Sequence, residues 1–402
     1  MAGAEEESRG IARYRELFAR DHAKRLFVWS IVARLPQGMA ALALVLLVRG
    51  AGGNYGEAGA VAAAYAVAVA VGGPYGGRQV DRRGPRRVLR RRMVLYPSLF
   101  ALVAVLGRAG APIAAIAFVA AAAGLTLAPI PSALRSIWPT VAGIDGASTA
   151  YALDAALQEV IWVGGPLLVA LLATVDPVAA VTGVAVIGAV GTFGFARIPP
   201  VRDAGPAEER ETSRLGALSS VGVRTIALLA CFMGLGFGAL EIAIPAFADT
   251  VGNRALAGVA LAGFSAGSLV GGLLAGLRPS RDERRRIVFG TFALAAVMAL
   301  PLAASSLLTM TLLVFCAGLP IAPVVAALYG QLGKVAAAGT VAEAFSWFGT
   351  SISIGLAAGS VAGGALIDAD GWRASVLLAM ACVAAGAVLT ALRRGTLAPP
   401  RS

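Results

Sequence analysis

Three charged residues of this 402-residue chain lie deep inside long apolar runs, where a charge is costly and is often retained for function. Arg34 follows Leu26, the first residue of its run, by eight positions, and Glu159 follows Tyr151 of a later run by eight positions; at the helical rise per residue, both lie about 12 Å along their helices. Glu241 lies towards the far end of another run. Such residues can pair with one another, hold a charged solute or carry a proton.

The surroundings of Glu241 predict the most distinct chemistry of the three. No basic residue lies near it in "GALEIAIP". Because an apolar site favours the neutral form of a carboxyl group, such a residue exchanges a proton near neutral pH more readily than a solvated one. We therefore expect Glu241 to be a proton carrier, with a permanently ionised residue at a wet outer mouth as the alternative.

Other residues of the apolar runs predict gates, a cavity lining and bends. Arg135, Asp154 and Glu343 lie near the ends of runs and are candidate gate charges, or else ordinary helix-end charges that reach towards water. The candidate cavity-lining side chains, for which helix packing is the alternative, are Gln37, Gln158, Trp162, Tyr329, Gln331 and Trp347. Because proline removes a backbone hydrogen bond and glycine permits bending, bends are predicted at Pro36, Pro129, Gly165, Pro166 and Pro323.

The remaining reactive residue types exclude several kinds of chemistry. The single histidine, His22, lies outside the apolar runs, and the three cysteines, Cys231, Cys316 and Cys382, lack the spacing of a metal site. No GxxxxGK[ST] phosphate-binding loop is present. We therefore expect no metal, no cofactor, no ATP hydrolysis and no enzymatic activity. A membrane-embedded enzyme, the alternative, would need a nucleophile and a base that these residues do not supply.

The composition explains why these residues need a membrane around them. Hydrophobic residues make up 58% of the chain and charged residues only 14%, against about 25% in a typical soluble domain. So little polar surface cannot cover a soluble protein of this length, whereas helices span a bilayer with every backbone group satisfied. The sequence predicts an all-α membrane protein in contact with the lipid bilayer.

Twelve apolar runs are long enough, or nearly so, for the roughly 20 residues with which a helix spans the hydrocarbon core. They are residues 26–48, 58–77, 93–107, 112–134, 150–173, 178–196, 225–248, 256–277, 287–306, 309–331, 342–366 and 374–392. Their grouping predicts an N-terminal segment (1–25), a first six-helix bundle (26–196), a linker (197–224), a second six-helix bundle (225–392) and a tail (393–402).

Basic residues collect on one side of the predicted membrane. The N-terminal segment, the linker, the tail and two hairpin loops hold most of them, and residues 78–92 alone contain eight arginines. Because cytoplasmic loops are enriched in Lys and Arg, both termini are expected in the cytoplasm. The net charge of +12 then reflects topology, and no nucleic-acid partner is expected. The opposite side keeps only Arg49, Arg108, Arg254 and Arg373.

The two halves of the chain resemble each other. The segment "GLTLAPIPSAL" (124–134) of span 4 aligns with "GLPIAPVVAAL" (318–328) of span 10, and weaker matches join spans 1 and 7 and spans 2 and 8 in the same order. Internal repeats of this kind occur in secondary transporters, where paired interruptions mark the binding region. Pro129 and Pro323 are such a pair.

The loop after span 2 carries the residues by which the chain resembles the major facilitator superfamily. The stretch "GRQVDRRGPRR" is similar to the signature of that family, in which a Gly precedes an Asp by four residues, followed by a basic residue, a Gly and a basic pair. The counterpart in the second half, "GLRPSRDERRR" (276–286), lacks the Asp position. The matching residues are Gly77, Asp81, Arg82, Gly84, Arg86 and Arg87.

The resemblance implies roles for several residues. In the family, the residue corresponding to Asp81 lies near the cytoplasmic start of span 11 and helps to latch the outward-open state. Asp81 and Arg82 are then gating residues, and a solvated hairpin with ordinary basic residues is the alternative. Because spans 1 and 5 are neighbours in the family, we predict an interior ion pair of Arg34 with Glu159, as a switch or as a structural pair.

Span 5 partly resembles the antiporter motif of the family. Gly164, Gly165 and Pro166 match its Gly-Pro pair, whereas Ile161 replaces the preceding glycine. The family also places span 7, which contains Glu241, against the cavity. The motif favours export over uptake.

Together these features predict a secondary transporter that moves a small molecule across the cell membrane by alternating access, by proton-coupled efflux of an amphipathic drug or metabolite. The alternatives are proton-coupled uptake of a small metabolite and a non-transporting receptor or scaffold. The expected partners are the substrate and protons, and the protein is expected to be a monomer. Richness in Ala, Gly and Arg with only two lysines indicates a high-GC bacterial genome, and so the cell membrane.

Overall fold

A computed structural model of the chain consists of α-helices joined by short turns. It describes residues 2–207, 213, 215–252, 257–277 and 282–398, and no strand lies among them. Arg254, one of the basic residues predicted on the sparsely charged side, lies outside the described residues, as do parts of the predicted linker and tail.

The first bundle follows an N-terminal helix that occupies most of the segment predicted as residues 1–25. Capping residues fix the starts of two helices in the first bundle. Asn54 accepts a hydrogen bond from the N–H of Glu57, and Asp176 accepts one from the N–H of Val178. The helices are α1 (Ala2–Ala19), α2 (Ala23–Gly50), α3 (Tyr55–Arg83), α4 (Pro85–Arg108), α5 (Ile113–Thr126), α6 (Ile130–Ala173) and α7 (Pro177–Ala196).

The long helix α6 contains parts of two predicted spans. The chain turns at Gly143, whose φ of 74° lies in the left-handed region that glycine adopts without strain. Spans 4 and 5 therefore comprise residues 113–143 and 146–173. The loop predicted between them, residues 135–149, is helical on both sides of Gly143. The span boundaries were predicted from apolar content, and they were too short because both helices continue into less apolar sequence.

The second bundle is joined to the first by a segment that contains a short helix and ends in a 3₁₀ turn (Gly216–Ser219). Ser220 caps the next helix by accepting a hydrogen bond from the N–H of Val223. The helices are α8 (Pro199–Arg202), α9 (Val221–Thr250), α10 (Ala257–Leu277), α11 (Glu283–Val297), α12 (Leu307–Gly318), α13 (Ile321–Val335), α14 (Val341–Asp370) and α15 (Trp372–Leu392).

Helices of membrane-spanning length account for both bundles, which confirms the predicted all-α membrane fold. Within the described residues, 11 helical segments are long and apolar enough to cross a membrane. The twelfth long helix is α4, whose 24 residues pack against α5 and α7. It begins with a cluster of arginines, which lowers its mean hydropathy. The predicted run 93–107 is the apolar part of this helix.

Glycines bring the helices of each bundle into backbone contact. In the first bundle, a Cβ on Gly165 of α6 would lie 2.8 Å from the Cα of Gly38 in α2. In the second, a Cβ on Gly355 of α14 would lie 2.1 Å from the carbonyl oxygen of Cys231 in α9. Gly165, predicted as a bend, is therefore a close-packing residue.

Candidate functional site: a latch between the bundles and a charged centre

The two bundles are joined at one end of the molecule, which we call the basic end and which contains α1, the α3–α4 turn and the start of α9. Among the residues that the structure describes, hydrogen bonds between the bundles extend from this end to mid-length of α3. The one farthest from the basic end is donated by the Thr350 hydroxyl to the Ala70 carbonyl, at 2.9 Å. The bundles therefore close the basic end by direct contact.

Asp81, on the last turn of α3, caps a helix of the other bundle. Its buried carboxylate accepts hydrogen bonds from the backbone N–H groups of Ala342 and Glu343, at 2.9 and 2.8 Å. Both N–H groups belong to the first turn of α14, where they lack partners within the helix and the helix dipole favours an anion. Asp81 thus links the bundles, and its gating role stays a prediction.

An ion pair lies beside this cap. The Arg78 guanidinium donates to both carboxylate oxygens of Glu343, at 3.0 and 2.7 Å. Gly216, from the segment between the bundles, lies over the pair, and a Cβ there would lie 2.3 Å from Nη2 of Arg78. Glu343, a predicted gate charge, is buried in this contact. Its partner Arg78 was predicted only as one of the clustered arginines that set the topology.

Gly77 lets α3 and α14 approach closely next to the cap. A Cβ on Gly77 would lie 2.4 Å from Oγ of Ser346 and 2.5 Å from the carbonyl oxygen of Ala342. Ser346 also shares a hydrogen bond of 2.7 Å with Ser132 of α6. The contact therefore joins three helices from two bundles.

The rest of the signature shapes the turn or faces away from the contact. Gly84, with a φ of 75°, connects α3 to α4, and a Cβ there would lie 3.0 Å from the carbonyl oxygen of Ala204. Arg82, Arg86 and Arg87 are exposed on the surface of the basic end. The structure thus places only part of the motif against the second bundle.

The N-terminal helix α1 also bridges the two bundles. Arg13 and Tyr14 donate hydrogen bonds to the carbonyl groups of Leu277 and Leu273, both at 2.9 Å, near the end of α10. Burial raises the pKa of the Tyr14 hydroxyl to about 12, so it remains a donor at neutral pH. The composition of residues 1–25, which are polar and of mixed charge, did not predict this contact.

A buried cluster of one carboxylate and two guanidinium groups lies in the first bundle. Asp154 of α6 binds Arg34 of α2 at 2.5 Å and Arg135 of α6 at 2.7 Å, and the three side chains are at most 5% exposed. Gln158 accepts a further hydrogen bond from Arg34. Across the bundle boundary, Arg135 lies 3.8 Å from the ring centre of Tyr329. The predicted gate charges Arg135 and Asp154 therefore bind each other.

The predicted ion pair of Arg34 with Glu159 is wrong, since Arg34 pairs with Asp154. Equal depth in two neighbouring helices does not specify the face of the helix on which a residue lies. Asp154 and Glu159 are five residues apart, which rotates the second side chain by roughly 140° around the axis. Asp154 consequently faces α2, whereas Glu159 lies beside α10.

Glu159 lies on the face of α6 that packs against α10. Nearer the basic end, the two helices touch: a Cβ on Gly272 would lie 2.8 Å from the Cβ of Ala156. About one turn further on, the carboxylate of Glu159 lies beside the hydroxyl groups of Ser265 and Ser268. Glu159 is only half-buried at this point.

Glu241 of α9 approaches the same level from the second bundle. One turn before it, Phe237 packs edge-on against Phe264 of α10, with ring centroids 6.3 Å apart. Since Phe264 adjoins Ser265, Glu241 lies about one turn beyond these serines, and it is within electrostatic range of Glu159. Two half-buried carboxylates, one from each bundle, thus lie within electrostatic range of each other. Among the described residues, no group of three or more His, Cys, Asp or Glu is placed to hold a metal ion.

The predicted cavity-lining residues divide into two groups. Gln37, Gln158 and Trp347 are half-buried, and Trp162 is 48% exposed. By contrast, Tyr329 is buried beneath Arg135, and Gln331 is buried and donates a hydrogen bond to the Leu397 carbonyl. For these two residues the prediction of a cavity lining is wrong in this structure, because both are used in packing.

The prolines do not all interrupt helices as predicted. Pro129 lies at the break between α5 and α6, and Pro36 and Pro166 lie inside α2 and α6. In the second half the break between α12 and α13 lies at Pro320, and Pro323 belongs to the first turn of α13. A proline is tolerated there because the N–H groups of the first turn have no partner within the helix.

One buried arginine of the first bundle was not predicted from the sequence to be buried. Arg92, the last of the eight clustered arginines, is buried and donates to the carbonyl groups of Leu125 and Leu127, at 3.1 and 2.6 Å. These carbonyl groups lie at the break between α5 and α6, which the guanidinium therefore stabilises. Its position directly before an apolar run distinguishes it from the exposed arginines.

Solved structures of similar fold include membrane transporters. A bacterial homologue of the iron transporter ferroportin, solved in an outward-facing state, is 12% identical with a TM-score of 0.70, and the match covers 92% of this chain and 98% of that chain. A structure of a bacterial ferroportin homologue with soaked iron is also 12% identical, with a TM-score of 0.73 over the same shares. The human organic anion transporter MFSD10 (TETRAN) is 15% identical with a TM-score of 0.69, over 96% of this chain and 99% of that chain.

The sequence comparisons decide the family. A search of curated protein sequences finds no match. The sequence model of the Major Facilitator Superfamily matches twice, over residues 26–252 and 226–402, in agreement with two related bundles. These matches cover almost the whole chain, which therefore belongs to the Major Facilitator Superfamily.

Proposed function

We propose that this protein is a proton-coupled efflux transporter for an amphipathic small molecule, and that the structure represents its state open on the side opposite the basic end. Membership of the family makes the chain a secondary transporter in a membrane. The observation that carries the proposal is the one-sided contact: the described hydrogen bonds between the bundles extend from the basic end only to mid-length of α3.

The contacts at the basic end suit alternating access. Asp81, Arg78 and Gly77 contact the first turns of α14, so a rocking motion of one bundle separates them without disturbing either core. Such contacts bias the equilibrium between two states by a modest free energy, which a substrate or a proton can offset. The similarity to a protein solved in an outward-facing state supports this assignment.

Glu159 and Glu241 are the proposed proton carriers. Both are half-buried near the boundary of the bundles, and neither forms an ion pair among the described residues, whereas Asp154 and Glu343 bind arginines. An arginine partner holds a carboxylate in its ionised form, so the two unpaired carboxylates are the ones free to exchange protons. The arginine-rich basic end then faces the cytoplasm, together with both termini.

Transport by membrane vesicles with an imposed pH gradient tests this function. We expect gradient-driven accumulation of amphipathic compounds in inverted vesicles, and its loss in Glu241→Gln and Glu159→Gln. Asp203→Asn is the matched control, because Asp203 is an exposed carboxylate that pairs only with its neighbour Arg202 among the described residues. Unchanged gradient dependence in both variants contradicts the proton coupling, and accumulation confined to right-side-out vesicles contradicts efflux.

A further inference from the structure

We propose that the outward side of α4 at the basic end is a docking surface for anionic phospholipids. This surface, which we call the arginine face, consists of Arg86, Arg87, Arg90 and Arg91 in the first two turns of α4. The inference goes beyond the proposed function, because it concerns the outside of the first bundle and not the region between the bundles. It follows from three features: exposed side chains without ion pairs, uncompensated charge and an apolar surface that continues the face.

The four side chains take no part in the packing of α4. The buried residues of the helix, which include Val88, Leu89 and Arg92, lie on its other side, and α4 packs against α5 and α7. Arg92 shows what a structural arginine does here, since it is buried and donates to the carbonyl groups of Leu125 and Leu127. The arginine face is exposed instead, and none of its side chains forms an ion pair within the described part of the chain.

The charge of the arginine face is not balanced by acidic residues. Between Asp81 and Asp145 the sequence contains no acidic residue, so α4 has none. Asp203, from the segment between the bundles, lies within electrostatic range of Arg86, but it binds Arg202 at 2.7 Å. The described residues therefore supply no dedicated counter-charge for the face.

The positions of the arginines make this charge costly. They form two pairs four residues apart, and residues at this spacing are neighbours on the helix surface, where like charges repel each other. The arginines at the start of α11 are arranged differently: Arg284 and Arg285 are also exposed, but Asp282 and Glu283 directly precede them. Positive charge that only marks one side of the membrane can be compensated in this way, whereas the arginine face keeps its full attraction for anions.

An apolar surface continues the arginine face along α4. Val94 and Leu95 follow the last arginine of the face by about one turn and are 57% and 49% exposed. Leu102 and Val105, further along the helix, are exposed as well. Their spacing keeps these side chains on the same side of the helix as the arginines. Because α4 has the length of a membrane-spanning helix, this side lies against the hydrocarbon of the lipid.

An exposed tyrosine of α3 indicates where the hydrocarbon ends. Tyr75 is 61% exposed and lies within electrostatic range of Arg92, which directly follows the arginine face. Tyrosines are enriched where membrane hydrocarbon meets water, because the ring is apolar and the hydroxyl group is polar. The boundary between head groups and hydrocarbon therefore passes close to Arg91 and Val94, and the arginine face lies at the level of the head groups.

A partner with an anionic head group and an apolar tail matches both parts of this surface. The planar guanidinium group donates paired hydrogen bonds to phosphate oxygens, and the exposed apolar side chains contact the acyl chains. An acidic protein or a nucleic acid would cover the arginines alone. A bound anionic lipid offsets the repulsion within the face. Since the face begins five residues after Asp81, the lipid also steadies the end of the bundle that carries the latch.

Native mass spectrometry of the full-length protein in detergent, which counts single bound lipids, tests the proposal. The probes are dioleoyl phosphatidylglycerol, which is anionic, and dioleoyl phosphatidylcholine, which has the same chains and no net charge. We expect the parent to bind the anionic lipid about tenfold more tightly, and Arg90→Gln/Arg91→Gln to lose most of this preference. Arg284→Gln/Arg285→Gln is the matched control and should keep the preference of the parent.

Several outcomes overturn the lipid surface. These are equal binding of the two lipids by the parent, an unchanged preference in Arg90→Gln/Arg91→Gln, displacement of the anionic lipid by glycerol phosphate alone, and tighter binding of a short RNA than of the lipid. Size-exclusion profiles identify a misfolded variant, and Arg91→Gln then replaces it and is expected to lose about threefold of the preference.

The lipid measurement needs no substrate and no pH gradient. Loss of the lipid preference with intact gradient-driven transport therefore concerns the arginine face alone, and intact lipid binding without transport contradicts only the proposed function.

Discussion

The buried and half-buried carboxylates within the two bundles form two sets, which differ in the groups that contact them. Asp81, Asp154 and Glu343 each contact defined donors, either backbone N–H groups or guanidinium groups. Glu159 and Glu241 lie among apolar helices without an ion pair in the described part of the chain. A carboxylate held by donors stabilises one arrangement of helices, whereas an unpaired one keeps its capacity to bind a proton or a solute. On α6, the two kinds are only five residues apart.

The largest effect is expected from Asp154→Asn. The substitution leaves Arg34 and Arg135 buried without a counter-charge, and loss of one partner from a buried ion pair costs about 3–5 kcal/mol. We expect a lower midpoint of thermal unfolding in detergent. Glu159→Gln is the matched control on the same helix and should leave the midpoint near that of the parent. Equal midpoints for the two variants would remove the distinction between the two sets.

Gly77→Ala tests the latch through its packing. The added methyl group meets Ser346 and the backbone of Ala342 at 2.4 and 2.5 Å, so α3 and α14 must separate, at a cost of about 1–3 kcal/mol to the closed basic end. Spin labels at Arg87→Cys and Arg393→Cys, with the native cysteines replaced, should show longer distances. Gly349→Ala is the control on α14: its added methyl group has no atom within 4 Å, so the distances should stay unchanged.

Asp81→Asn sharpens the role of the cap. Its amide oxygen can still accept one of the two backbone hydrogen bonds, but the negative charge at the start of α14 is lost. Removal of such an interaction weakens the closed end by about 1 kcal/mol. The same pair of spin labels should show a partial shift towards the open distance. A distribution identical to that of the parent would mean that the charge of Asp81 does not hold the bundles.

The smallest effect is expected from Tyr14→Phe. It removes one hydrogen bond between α1 and α10, which contributes about 0.5–1.5 kcal/mol to the closed end. Burial raises the pKa of Tyr14 from 10.0 to about 12, so this contribution is complete below pH 10 and is lost as the pH rises through about 12. The difference between parent and variant in the stability of the closed end, followed with the same pair of spin labels, should therefore be constant between pH 6 and 9. A difference that varies with pH in this range would contradict the assignment of Tyr14 as the donor.

Much of the latch could be predicted from the sequence. Asp81 and Gly77 were identified from a short motif, and the structure places both against the start of α14. The partner of Arg34 could not be predicted. The depth of a residue in the membrane can be counted along its helix, but the neighbour that its side chain faces depends on how two packed helices are rotated about their axes. The choice of Pro323 as the bend was wrong for a related reason: prolines at both 320 and 323 fit the pattern, and the surrounding packing selects Pro320.

The sequence by itself determined that the chain forms helices within a membrane, since its apolar runs cannot be covered in water, and that arginines gather at one end. The tertiary structure alone decided which charges are paired. Two guanidinium groups converge on Asp154 from different elements, whereas Glu159, on another face of the same helix, lies beside two serines and forms no ion pair with any residue that the structure describes. Pairing depends on the relative rotation and tilt of whole helices, which no local stretch of sequence specifies.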